Sequence, residues 1–325
     1  MPCRVRVFAP ASVSNLGPGF DVLGLALERP GDVVEAEWSD RPGVAVEAVT
    51  GDGGLLPLDP VKNVAAVAAA SVLAQLEASG ARASGAGATR PPGGVRLWVH
   101  KQMPLASGLG SSAASSVAGA MVVNELAGCP LSREALLPHA LAGEQVAAGT
   151  VHADNVAPSL LGGIKAIRGY DPLDVLDLPI PPGLRVVVVH PHTEVQTAYA
   201  RRLLAKHGFP IEAAVANLGN MAAFVSALYR GDLDLLGRAV EDRLAEPLRL
   251  PLIPGLAAVK QAARQAGALG CSISGSGPSV FALTRDDETA ERVAAAMQGA
   301  FAEEAGLESE AYTGPVNAGG ARRVA

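Results

Sequence analysis

PLASGLGSSAASS, residues Pro104 to Ser116, places two glycines and a run of hydroxyls at the mouth of an apolar segment. Gly108 and Gly110 can adopt backbone angles closed to other residues, which lets the main chain come close to a ligand. The stretch behind them, Ala113 to Leu126, holds Val117, Met121, Val122, Val123 and Leu126 among alanines, with no charge before Glu125 and a stop at Gly128. A helix apolar on every side is a buried one. Its unpaired N-terminal N–H groups and positive dipole end then face the glycine loop, which suits a phosphate. Ser111 and Ser112 add hydroxyls fit for a phosphate oxygen or a magnesium ion. A Gly/Ser loop that merely caps a buried helix is the plainer reading of a lone Gly-x-Gly; the uncharged helix behind this one favours a phosphate cradle.

The Walker pattern needs a lysine beside the phosphates, and none lies between Lys101 and Lys165, which argues against P-loop chemistry. Gly108 to Ala113 also fits G-x-G-x-x-A, the dinucleotide fingerprint, which requires a strand running into the first glycine. The nearest strand-like stretch, Val95 to His100, stops short with Pro104 between. The dinucleotide reading is weakened and stays open.

With 325 residues the chain suits one large or two medium domains. A formal charge of −6 and no basic stripe argue against a nucleic-acid partner and for a small-molecule ligand. The longest uncharged run, Gln102 to Asn124, is too rich in glycine and serine to span a membrane, and the N-terminus lacks a charged-then-apolar signal pattern, so a cytoplasmic protein is expected. Cys3, Cys129 and Cys271 are too few and too far apart for a disulfide framework or metal cluster, and read as reduced packing residues.

Strand-like alternation runs over Arg4 to Ala9, Val33 to Trp38 and Val44 to Ala48. Asp59 and Pro60 read as the cap and first turn of a helix through Leu76. Glu77 to Gly94, rich in Gly, Ala and Ser, reads as a surface loop. Ser132 caps a helical stretch reaching Ala148. Gly162 to Arg168 reads as a strand, and 169–183, with four prolines, as a linker. Beyond it come a strand at Leu184 to His190, helices at Thr197 to Lys206, Ile211 to Tyr229, Leu233 to Ala245 and Gly255 to Ala266, a β pair around SGSGPS, and a last helix from Glu288 to Ala305. Two α+β domains summarise the pattern.

Three further segments join the glycine loop: ASVSNLGPGFD from Ala11 to Asp21, HADNVAPSLLGG from His152 to Gly163, and SGSGPS from Ser274 to Ser279. In this order and spacing the four resemble the GHMP family of small-molecule kinases, over nearly the whole chain. The resemblance implies an α+β architecture, with a ribosomal-S5-domain-2-like nucleotide domain over 1–170, a ferredoxin-like domain over 171–325, and the active site between them. It implies ATP as co-substrate. Its phosphates would be wrapped by Pro104, Leu105, Ala106, Ser107, Gly108, Leu109, Gly110, Ser111, Ser112, Ala113 and Ala114, with Asn63 near the adenine. Ser112 and Glu144 would hold Mg2+, for which a hydroxyl and one carboxylate beside phosphate and water suffice. A homodimer is implied as well.

The wording of the first and third segments further implies L-homoserine as the acceptor. This zwitterion needs an acid for its ammonium, a guanidinium for its carboxylate and a polar group at its hydroxyl. By the resemblance Asn15 and Asp21 sit on the amino acid, and Arg201 in TAYARRLL and Arg249 in EPLRLPLIPG grip the carboxylate. His152, Asp154 and Asn155 would face the reacting hydroxyl, and Asp154, Asn155, Ser112 and Glu144 form the implied catalytic set. Thr197 and the backbone of Gly275 complete the substrate side. Each residue alone has a plainer reading. Glu144 would be a solvated helix carboxylate, either arginine a surface charge, Asn15 a turn residue and SGSGPS a hairpin connection. His152 and Asp154 make only two ligands, too few for a metal site.

Related kinases such as mevalonate kinase pair an aspartate base with a lysine in their first motif, whereas this chain has Ser12 there. Asp154 then either takes the hydroxyl proton or only binds substrate while the proton leaves late to phosphate or water; the second is the working expectation. Three competing functions are distinguishable: a GHMP kinase for mevalonate, a sugar or a diphosphocytidyl alcohol; a nicotinamide-dependent oxidoreductase; and a non-catalytic sensor of amino acid or nucleotide.

Overall fold

The computed structural model describes residues 4–79, 93–148 and 151–325. In chain order its elements are β1 (Val5–Ser14), β2 (Leu23–Thr50), α1 (Val64–Ser79), β3 (Gly93–His100), α2 (Ser111–Leu126), α3 (Leu137–Ala148), α4 (Ala153–Leu161), β4 (Ile164–Tyr170), β5 (Leu173–Leu178) and β6 (Arg185–Pro191). There follow α5 (Thr197–His207), α6 (Ile211–Arg230), α7 (Leu233–Ala239), α8 (Glu246–Arg249), α9 (Leu256–Gln265), β7 (Gly270–Ile273), β8 (Val280–Thr284), α10 (Asp287–Ala305), β9 (Ser309–Pro315) and β10 (Arg322–Val324).

The first sheet has the order β10-β1-β2-β4-β5, with β3 added on β2. β2 is long enough to grip β3 from both sides. Its first arm pairs Val33 with His100 and Trp38 with Val95, so it runs against β3; its second pairs Val44 with Val95 and Thr50 with His100, so it runs with it. α1, α2, α3 and α4 cover this sheet. α2 is their centre: from Ala113 to Asn124 it is buried throughout, and Val117, Val122 and Val123 are wholly inaccessible. The expected core helix is there because nothing in its sequence demands water.

The second sheet, β7-β8-β6-β9, is antiparallel at every pairing. Successive residues of a strand point to opposite faces, and both faces here are apolar. Val187 and Val189 join Val259, Val293, Met297 and Phe301 under α9 and α10. Val186 and Val188 instead join Phe224, Leu228 and Leu236 in the core that continues beneath the first sheet.

The structure departs from the sequence reading in several places. α1 starts at Val64, because the Asn63 side chain caps it, accepting from Ala65 N at 3.1 Å, while Asp59 closes a separate turn. HADNVAPSLLGG is largely helical, as α4; its polar first turn hid the pattern. The proline-rich 169–183 contains β5, whose residues from Leu173 to Leu178 pair with β4. Helix α7 stops at Ala239, and Asp242 closes the turn that leads into α8, accepting from the N–H groups of Leu244, Ala245 and Glu246. β1 runs on to Ser14 across a register shift at Pro10. β9 and β10 escaped the reading because both alternate with an exposed face and carry little apolar signal. Of the loop expected from Glu77 to Gly94, residues 80–92 lie outside the described residues, as does Cys3. Cys129 is exposed and Cys271 buried.

Candidate functional site

Three turns meet at the site: the glycine loop, SGSGPS and the loop from Asn15 to Asp21. The glycine loop takes positive φ at Ala106 (50°), Gly108 (78°) and Gly110 (67°), which swings the chain from β3 into α2. Gly108 lies against SGSGPS, so that a Cβ on it would come within 2.5 Å of Ser274 O. Ser274 Oγ donates to Gly108 O at 2.6 Å, and Ser279 Oγ to Ser107 O at 2.6 Å. Gly110 lies as tightly against β1: a Cβ there would meet Ser12 Oγ at 2.2 Å. No side chain caps α2, so its first N–H groups stay open toward the cavity. β3 ends at His100, well before Gly108, and the dinucleotide fingerprint therefore lacks the strand it requires.

The loop Asn15 to Asp21 forms the opposite wall. Asn15 (φ 71°), Leu16 (φ 46°) and Asp21 (φ 55°) are left-handed, a conformation that Asn and Asp tolerate best among non-glycine residues. The Asn15 amide is spent on structure: Nδ2 donates to Gly275 O at 3.0 Å, and Oδ1 accepts from Asp21 N at 3.1 Å.

A cavity of about 480 Å³ opens between these turns, lined by both loops, by Glu144, His152, Asp154 and Asn155, and by Thr197, Arg201 and Arg249. Its lining includes the apolar Leu56, Val64 and Leu105. Arg201 Nη2 meets Asp21 Oδ1 at 2.7 Å, and Arg249 Nη1 donates to Gly275 O at 2.7 Å. The Phe20 ring lies beneath both guanidiniums, 5.7 Å from that of Arg201 and 5.3 Å from that of Arg249, within cation–π range. Arg249 is almost wholly buried, and its desolvation pulls its pKa below the ordinary value.

Several buried polar atoms that reach this space lack a partner: Oδ1 of Asp154, Oε2 of Glu144, Oγ of Ser111, and Nε of both Arg201 and Arg249. Native proteins seldom leave such groups unpaired without a ligand to complete them. Burial, reinforced by the Asp21 charge, raises the Asp154 carboxyl to about 7, against the opposing pull of His152 and Arg201. Burial lowers the His152 pKa, but the 3.2 Å contact with Glu144 and the neighbouring carboxylates outweigh it and the net shift is upward. Asn155 Oδ1 accepts from Ser12 Oγ at 2.9 Å, which occupies the Ser12 hydroxyl proton.

Most of the residues singled out from sequence line this cavity; Asn63, Pro104, Leu109, Ala113 and Ala114 do not. The Asn63 side chain is engaged in capping α1 and in donating to Pro57 O at 3.0 Å. Leu109, Ala113 and Ala114 are wholly buried core.

Sequence reasoning missed Phe20, Lys101 and Asp32. Lys101 pairs with Asp32 in full burial beneath the loop and donates to Ser111 O at 3.0 Å and Ser115 Oγ at 2.8 Å. Its position just ahead of the glycine loop was the available signal. Lys101→Met is expected to cost about 3–5 kcal/mol of stability, because Asp32 is left buried and uncompensated. Urea denaturation checks this, and Lys101→Met with Asp32→Leu should recover much of the loss.

A larger hollow of about 700 Å³ lies between α3 and β5. Lys165 is paired there with Asp177 and Arg133 with the carbonyls of Gly319 and Ala321, and none of the buried unpartnered polar atoms among the described residues lines it.

The model of the GHMP kinases N terminal domain matches residues 65–163, and that of the GHMP kinases C terminal matches residues 224–303. A homoserine kinase of Chlorobium phaeobacteroides is 46% identical over 324 residues, 98% of each chain. The crystal structure of homoserine kinase from Cytophaga hutchinsonii superposes with a TM-score of 0.92 at 45% identity, over 100% of this chain and 98% of that one. A mevalonate kinase of L. major shares the fold at 18% identity, with a TM-score of 0.71 over 95% of each chain.

Proposed function

This chain belongs to the GHMP kinases, and from that premise we propose that it phosphorylates the side-chain hydroxyl of L-homoserine with ATP, giving O-phospho-L-homoserine and ADP. The observation that supports the choice of substrate is that two arginines and two acids share one cavity with the glycine loop. A sugar or mevalonate has no ammonium to match those acids.

In this reading Arg201 and Arg249 take the α-carboxylate, and the ammonium lies toward Asp154 and Asp21. Asn15 acts by tying its loop to Gly275, and Thr197 supports the same wall through Ser276 Oγ at 3.0 Å. The adenine rests against Leu56, Val64 and Leu105, with Asn63 supplying the cap of the adjoining helix rather than a direct contact. The loop from Pro104 to Ala114 holds the phosphates on its backbone N–H groups, whose preset direction stabilises charge as it spreads over the transferring phosphoryl group. Ser112 and Glu144 would hold Mg2+; the unpaired Glu144 oxygen and the hydroxyl fit a small cation that prefers oxygen ligands. When bound, that ion neutralises phosphate charge.

The homoserine oxygen attacks the γ-phosphorus in line as the bond to ADP breaks. Asn155 and His152 border the reacting hydroxyl. Its proton leaves late, to phosphate or water, with Asp154 kept for binding. In the proposed division of domains, 1–170 and 171–325, β5 and β10 of the second stretch extend the first sheet by pairing with β4 and β1. A cytoplasmic homodimer serving threonine biosynthesis belongs to the same proposal.

ADP release by the purified protein with magnesium and ATP tests it, comparing L-homoserine with mevalonate, galactose, shikimate and no acceptor. Turnover only with homoserine is the expected result. Turnover with another acceptor would move the substrate assignment, and no turnover at all would favour a sensor.

A further inference from the structure

The glycine loop is held in place from the second sheet. β6 and β8 pair antiparallel with Val189 opposite Val280, so the next position along sets His190 opposite Ser279, the last residue of SGSGPS. Both are buried. Ser279 Oγ donates to Ser107 O at 2.6 Å, and the Ser279 N–H reaches the same oxygen at 3.2 Å. His190 Nδ1 stands 3.1 Å from Ser279 Oγ. One residue on, Gly108 O accepts from Ser274 Oγ. A trans peptide sets its C=O and N–H on opposite sides, so fixing these two carbonyls on SGSGPS turns the Gly108 and Leu109 N–H groups away from those serines.

Proton accounting fixes the part the histidine plays. A hydroxyl has one proton to give and a carbonyl can only accept, so the Ser279 proton is committed to Ser107 O. The contact with His190 then requires a proton on Nδ1. Burial, with repulsion from His192 added, lowers the His190 pKa to about 4 against the opposing pull of Glu310. The ring is therefore neutral at neutral pH and carries a single N–H. Donation runs from His190 Nδ1–H to Ser279 Oγ, and from Ser279 Oγ–H to Ser107 O. We propose that His190 is a positioning residue for phosphoryl transfer, aiming the N–H groups of the glycine loop through Ser279; this rests on the reading of that loop as the ATP phosphate site. His190 does not line the cavity, and so acts at one remove from the substrates.

Two measurements on the full chain test the proposal. Nitrogen NMR of isotope-labelled protein at neutral pH, without substrate, should find His190 as the Nδ1–H tautomer, the minor form of a free imidazole. The Nε2–H tautomer would overturn the proposal. The second measurement is calorimetric titration with magnesium and ATP, accompanied by the homoserine KM and the melting temperature of each variant. His190→Leu should weaken ATP binding about 3–10-fold, the range of one lost hydrogen bond, with the homoserine KM within about 2-fold of wild type. His190→Asn should restore ATP binding, because its amide nitrogen lies as many bonds from Cβ as Nδ1 does. In a Ser279→Ala background His190→Leu should have no further effect, the two acting in series. Additive losses, an asparagine variant no better than leucine, equal losses toward both substrates, or a leucine variant that melts lower yet binds ATP like wild type would each overturn the proposal. A wild type that binds no ATP would remove the kinase reading and the proposal with it, whereas wild-type binding with unaffected variants removes the proposal alone. The tautomer and the asparagine variant still decide if the leucine variant folds poorly.

Discussion

Arg249→Ala is expected to lower kcat/KM for homoserine by about 10²–10³-fold, the loss typical when one partner of a buried charged hydrogen-bonded pair is truncated at roughly 2–5 kcal/mol. The KM for ATP should stay within about 2-fold, because the proposed arrangement sets the guanidinium on the amino acid and not on the nucleotide. Arg249 is nearly inaccessible, donates to Gly275 O, and keeps Nε without a partner in the protein. Its burial is therefore only partly compensated until a carboxylate arrives. Gly275 O retains the Asn15 amide when the arginine is removed, so the neighbouring turn should hold and the melting temperature should not fall in proportion to activity. Arg249→Lys should recover little, since an ammonium cannot offer the planar two-pronged donor. Steady-state kinetics with each substrate varied checks this; equal losses toward ATP and homoserine would remove Arg249 from the carboxylate.

Asp154→Asn should separate binding from chemistry and from stability. The carboxyl is buried, and its pKa stands near 7 in the fold against 3.8 as the reference value. Between those values the folded state holds a proton that the unfolded chain releases. The stabilisation associated with that proton is full below about pH 4 and is lost as pH rises through about 7. At about 1.4 kcal/mol per unit, three units set an upper limit of about 4 kcal/mol on what ionisation of this residue costs the empty fold above pH 7. The asparagine variant escapes that cost, so it should melt higher than wild type at pH 8 and show a shallower decline between pH 4.5 and 8. Homoserine should bind at least about 10-fold more weakly, an ion pair to the ammonium having been lost. If the proton leaves late to phosphate or water, kcat should remain within about 10-fold of wild type. A fall of several orders of magnitude in kcat with unchanged KM would instead make Asp154 the base.

For the wild type the same ionisation gives a rise in homoserine KM as pH falls below about 7, because the neutral acid no longer attracts the ammonium. The ATP KM should follow a different profile. Competition between binding and stability at one carboxylate is the usual pattern at functional sites, where groups are held in environments that do not suit them alone.

The core helix α2, the glycine loop before it and the strong strand β6 were legible from the chain because each is a local pattern. An uncharged apolar run, paired glycines and a block of valines mean the same thing wherever they occur. The four motifs in their order were also enough to point to the kinase family. The helical start of α1 was misplaced because Asp59 and Asn63 are both competent caps, and only the packing of Ala65, Ala66 and Ala69 selects between them. β5 was lost among prolines because a strand's identity rests on its partner, here β4.

The site divides along the same line. Residue type and spacing pointed to a phosphate-binding loop, and the family resemblance to two arginines and a set of acids suited to a zwitterion. Tertiary structure decided which of them share a cavity, that Asn15 and Asn63 spend their amides on the backbone, that Phe20 lies under both arginines, and that Lys101 and Asp32 pair beneath the loop. Backbone preference and hydrophobic periodicity act within a few residues and can be read from the chain in order. Desolvation, ion pairing and cavity shape depend on groups as far apart as Asp21 and Arg201, and exist only once the two sheets have been brought together.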